Sequence, residues 1–132
     1  MKKKALMIKI NIICNNKSWY NYLKKPNNFI QKKTNNFNNE FKRFKGVKIH
    51  CTLLLSGSRE IKNLNKKFRK KDKSTDVLSF PFHKKNILKK KLKCEKEIYL
   101  GDIIINLSEI KNKNNKKKFN FEFNRLWIHG LV

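Results

Sequence analysis

The sequence predicts an α+β or α/β domain built on one four-stranded, mixed sheet packed by helices. Apolar alternation and helical spacing follow one another in the order strand, helix, strand, helix, strand, strand, helix. The 132 residues suit a single domain spanning 1–132, and 39% of them are apolar, ten being Phe. That is enough to bury a real core and too much for a disordered basic tail. No apolar run approaches ~20 residues, so no membrane partner is expected, and there is no internal repeat.

Residues 5–14 alternate, with Ile8, Ile10 and Ile12 on one face of a first strand. Over 18–44, Trp19, Leu23, Ile30, Phe37, Phe41 and Phe44 keep helical steps. Pro26 splits or kinks that segment. Its Asn pairs make the helix weak in isolation, so docking of Trp19 and the phenylalanines must hold it.

Residues 47–55 form the second strand. Val47, Ile49, Cys51, Leu53 and Leu55 share a face, and Leu54 opposite implies cover on both sides. Ser58 reads as an N-cap with Glu60 in the first turn, opening a helix whose stripe is Ile61, Leu64 and Phe68. Residues 77–82 are extended, with Pro81 at an edge or strand end. Residues 99–106 are the most apolar strand and the one expected to be most buried. Phe119, Phe123 and Leu126 keep helical spacing; the alternation of Phe119, Phe121 and Phe123 also permits a short strand, and helix is preferred.

Charge comes next: 34 Lys+Arg stand against 9 Asp+Glu, a net +25. Only Arg43, Arg59, Arg69 and Arg125 are arginines. Lys, Asn, Ile and Phe have codons built mostly from A and T, so biased coding alone, or bias plus a polyanionic partner, accounts for the profile. Either way the surface attracts nucleic acid in a salt-dependent manner. The Lys runs at 84–93 and 111–118 read as solvated loops able to track phosphates. Trp19, Tyr20 and Tyr22 could stack bases, with core packing the preferred use. Cys14, Cys51 and Cys94 have neither metal nor disulfide spacing and read as buried free thiols. The first residues open like a secretory leader, but Lys9 interrupts them and no small-residue cleavage site follows, so a cytoplasmic protein is expected.

The stretch from Leu64 to Phe82 couples a helix end carrying Arg69, a polar turn with Thr75-Asp76 and a strand. Thr75 and Asp76 can tie the turn locally. A planar guanidinium suits phosphate better than an ammonium does. The bland alternative is an ion pair of Arg69 with Asp72 or Asp76.

Three blocks resemble the YbeY endoribonucleases, the rRNA maturation factors. They are Leu64-Asn65 with Phe68-Arg69, Asp72 and Thr75 through Pro81; Leu100-Gly101-Asp102-Ile103-Ile104-Ile105; and Ile128-His129-Gly130-Leu131. The resemblance implies an α+β, YbeY-like metal-hydrolase fold. It also implies a single-strand-specific metallo-endoribonuclease that matures the 3′ end of small-subunit rRNA and serves ribosome quality control. Its partners would be rRNA and the small ribosomal subunit, with no small-molecule cofactor. Arg69 takes the functional, RNA-binding Arg position, and Ser79 and Asp102 read as residues fixing the cleft wall.

The family pattern H-G-x-x-H-x-x-x-x-x-H implies one zinc ion held by three His. Two lie on one helix face, and the open fourth position holds an acidified water. His129 fills the first of these places; the second and third would fall at 133 and 139, past Val132. Taken literally, the chain is expected to bind zinc and cleave RNA poorly, and Trp127 and Leu131 to have fewer packing partners. A non-catalytic rRNA-binding remnant is the alternative. His50 reads as a satisfied sheet histidine, and neither it nor His83 has ligand spacing to His129.

Overall fold

The computed structural model describes residues 7–40, 48–84, 86–88, 90 and 97–131. Strands β1 (Met7–Cys14), β2 (Lys48–Ser56), β3 (Val77–Pro81) and β4 (Glu97–Asn106) form one sheet in the order β1-β2-β4-β3. β1 and β2 are parallel, as are β2 and β4; β3 runs antiparallel to β4 on the edge. The mixed four-stranded sheet is thus the one the sequence predicts. β4, the most apolar strand, sits between β2 and β3 and is buried from Ile103 through Asn106.

Alternation divides the sheet into two faces. Leu53, Leu55, Ile103 and Ile105 meet a 3-10 turn (Lys17–Asn21), helix α1 (Pro26–Glu40) and helix α3 (Lys116–Leu131). Trp19, Leu23, Ile30, Phe119, Phe123, Leu126 and Trp127 fill that side. On the other face Leu54, Leu78 and Ile104 lie under Ile61 and Leu64 of helix α2 (Ser58–Arg69). The cover expected over Leu54 is therefore α2.

Pro26 begins α1 rather than kinking it, because a first-turn residue needs no N–H. The backbone of Phe37 is helical; Phe41, Phe44, Val47 and Cys94 lie outside the described residues, as does the 5–6 end of the first predicted strand. Residues 119–131 are helical, not extended. Trp127 is fully packed.

Two local expectations are corrected. The N-cap of α2 is Gly57, which makes no side-chain cap bond; Ser58 is the first helical residue and turns its hydroxyl toward Asn106. The α2 stripe also ends early: Phe68 is 59% exposed and meets the edge-strand ring of Phe80 edge to face.

β4 carries a bulge. The β2–β4 register runs His50↔Tyr99 and then Thr52↔Asp102, so Leu100 and Gly101 oppose the single residue Cys51. The extra residue lets Ile98 and Ile103 both serve the face of Ile49 and Leu53 despite their odd spacing. Gly101 has φ +137°, and a Cβ there would sit 2.2 Å from the Phe80 carbonyl oxygen. Only glycine fits.

Candidate functional site

The site is positioned by the link from α2 to β3. Lys70 closes α2 in the left-handed conformation, its N–H donating to the Asn65 carbonyl. The buried Asn65 side chain donates to the Lys73 carbonyl at 3.0 Å. At the far end, Asn106 is fully buried and gathers the turn: its Nδ2 donates to Ser74 Oγ at 2.8 Å, Ser58 Oγ at 3.0 Å and the Thr75 carbonyl at 3.2 Å. Its Oδ1 accepts from the Ser108 N–H, and its main-chain N–H donates to the Asp76 carbonyl at 2.9 Å. Two asparagines therefore fix where β3 begins relative to α2. By contrast the side chains of Thr75 and Asp76 share a long local bond, 3.4 Å.

That geometry delivers Arg69. From the last residue of α2 its Nη2 donates to the Ser79 carbonyl on edge strand β3, and its guanidinium lies 5.6 Å from the Phe80 ring. The ion pairs weighed for it are not what the structure gives. Asp72 instead lies 3.9 Å from Lys62, and Asp76 lines a cleft of about 460 Å³ with Glu109, Lys111, Glu122 and Arg125. One of five guanidinium donors meets Ser79, and the side chain is exposed, so a phosphate can reach the remainder. Ser79 contributes its main-chain carbonyl to Arg69. Asp102 is exposed and accepts the Tyr99 hydroxyl, which shares a 2.8 Å bond with Thr52. Burial and the neighbouring Asp102 both raise the Tyr99 pKa.

His129 lies exposed in the last turn of α3, whose opposite side is fixed by Leu126 and Trp127. One turn back, Arg125 pairs with Glu122 at 2.9 Å. His50 is indeed satisfied, 2.6 Å from Glu97, and His83 packs edge-on against Phe82. Among the described residues no three His, Cys, Asp or Glu side chains come together as a metal site. The described donors do not fit a zinc ion by themselves. The Lys run at 111–118 borders an open hollow with Tyr22 and Phe119, which stack at 5.2 Å; residues 91–93 of the other run lie outside the described residues. Trp19 is core, donating its indole N–H to the Ser56 carbonyl at 2.8 Å, whereas Tyr20 is exposed.

The site residues that motif reading passed over are Asn65 and Asn106. Asn65 stands within a quoted block, and Asn106 precedes Leu107-Ser108-Glu109, the pattern of a capping Asn; its cap on Ser108 is what the sequence could have signalled.

The α+β sheet, with an arginine-bearing helix end on its edge strand and an exposed histidine in its last helix, carries all three blocks that resemble an endoribonuclease family. A sequence profile described as Endoribonuclease YbeY matches residues 12–132. The chain is 38% identical over 128 residues to Endoribonuclease YbeY of Pelagibacter ubique, covering 96% of this chain and 79% of that one. It is 34% identical over 128 residues to that of Ehrlichia chaffeensis, covering 96% and 75%. The solution structure of TM1509 from Thermotoga maritima superposes with TM-score 0.57 at 25% identity, covering 93% of this chain and 69% of that one. This chain belongs to the YbeY endoribonuclease family, and the match favours the enzyme over a non-catalytic remnant.

Proposed function

We propose that the protein cleaves single-stranded RNA as a hydrolase of phosphodiester bonds, acting in the cytoplasm on the 3′ end of small-subunit rRNA and in ribosome quality control. Its partners are rRNA and the small ribosomal subunit. The observation that carries this reading is the position of Arg69, the family's functional arginine. It is held on the β3 edge with donors left over for a phosphate. In this reading Arg69 binds and orients the scissile phosphate, and the Lys-rich surface holds the flanking backbone. No helix among the described residues is long and apolar enough to cross a membrane.

The metal of this reading is zinc, with His129 as one of three ligands. The described residues supply only that one of the three. Native mass spectrometry of the purified protein tests this. About one zinc per chain, lost in His129→Ala, supports it. A zinc-free protein that still cleaves RNA in chelator would overturn it.

A further inference from the structure

Outside the Arg69 contact, the α2 side of the sheet carries an unusual row of aromatic rings. Phe68 and Phe80 meet edge to face at 5.6 Å, and Phe82 and Tyr99 do the same at 5.7 Å. Phe80 and Phe82 stand two residues apart around Pro81. Phe80 pairs with Asp102, and the Phe82 N–H donates to the Leu100 carbonyl, so both rings are tied to the β4 bulge. This row is not a core that happens to be open. Phe68 is 59% exposed and Phe82 68%, while the true core of this face, Ile61, Leu78 and Ile104, is closed beneath α2.

The row is also basic. Lys67 lies 5.3 Å from the Phe68 ring, and Arg69 lies over the ring of Phe80, which itself meets Phe68. Exposed flat rings alternating with cations are what a single strand of nucleic acid takes: every base has a π-face, and the cations follow its phosphates. A protein partner would want the rings without the density of positive charge, and the chain carries +25.

We propose that Phe68 and Phe82 form a base-stacking platform for single-stranded RNA, one ring on either side of Arg69, so that two bases flanking the arginine-bound phosphate are unstacked from each other and stacked on the protein. Duplex RNA, whose bases are turned inward, cannot use the platform. This deepens the nuclease reading and rests on it, because it supplies the single-strand preference.

The test is binding without cleavage. Fluorescence anisotropy of a labelled single-stranded RNA oligomer, in chelator, compares the full chain with Phe68→Leu and Phe82→Leu. Both are exposed positions whose fold is checked by circular dichroism. Each variant should bind about 5- to 150-fold more weakly, the range that loss of one stacked base brings. An oligomer with two adjacent abasic sites should bind the unaltered protein as weakly as the double variant Phe68→Leu with Phe82→Leu binds the intact one, and the double variant should lose little more. Phe121→Leu, 69% exposed on α3, should leave affinity unchanged. If the leucine variants bind as tightly as the unaltered chain, or if all three aromatic variants lose equally, the platform is overturned. A self-association lost with Phe82→Leu and no RNA effect overturns it in favour of a second copy. Cleavage is scored separately. A protein that cleaves single strands with unaltered variant affinity sinks the platform alone. One that binds through the platform and never cleaves with zinc supplied sinks the nuclease reading alone.

Discussion

At the residue scale, the buried groups carry more of the site than the exposed ones. Asn106 satisfies three acceptors with one amide and accepts a main-chain N–H, all without contact to solvent. Asn106→Ala removes the amide from half-buried partners and should cost about 1–3 kcal/mol, the range for one unsatisfied buried group, since water reaches the others; urea unfolding measures it. Cys51 gives a pH prediction. Burial first, and Asp102 second, push its thiol up from 9.0 to about 12. The fold favours the neutral thiol, so its contribution is complete below about pH 9 and is lost as pH rises toward 12. At pH 8 Cys51 should resist a disulfide reagent until the protein unfolds, while the half-buried Cys14 reacts in the native state; peptide mapping of the labelled thiols distinguishes them. Arg69 was legible as special because it is a rare arginine in a lysine-rich chain. Its partner was not: the Ser79 carbonyl is a main-chain group, which no side-chain pattern announces.

At the element scale, periodicity located the strands and helices because each buries one face. Ile8, Ile10 and Ile12, the stripe of α2 up to Leu64, and the spacing of Phe119, Phe123 and Leu126 all translate directly into burial. What periodicity missed was where elements stop. The N-cap of α2 is Gly57 rather than Ser58, whose hydroxyl meets Asn106 instead of its own helix, and Phe68 leaves the stripe, exposed beside Phe80. The bulge at Leu100-Gly101 was equally hidden, since an alternating run reads the same with or without one extra residue. Gly101→Ala tests its importance. A Cβ 2.2 Å from the Phe80 carbonyl, at φ +137°, must push β3 away from β4. A loss of about 3 kcal/mol or more is expected, from a strained backbone plus a displaced edge strand. Hydrogen exchange should show faster exchange confined first to Val77–Pro81 and its β4 partners.

At the scale of the whole molecule, the +25 charge draws RNA to the surface, and the fold decides what happens to it there. Biased coding, alone or with a polyanionic partner, accounts for a lysine-rich profile but not for the placement of Arg69, the asparagine anchors or the exposed rings. The fold was legible nearly end to end. Of the family's three-histidine pattern only His129 was legible, and the described residues bring no second or third ligand to it. The central claim is single-strand RNA cleavage that needs Arg69, and one cleavage assay addresses it directly. A labelled RNA spanning the 3′ end of a small-subunit rRNA precursor is incubated with the full chain, as a single strand and as a duplex. The account predicts cleavage of the single strand only, falling at least about 100-fold in Arg69→Lys, since loss of one transition-state contact costs about 2.7–4 kcal/mol. Equal cleavage of both forms, or cleavage unchanged by Arg69→Lys, would contradict it.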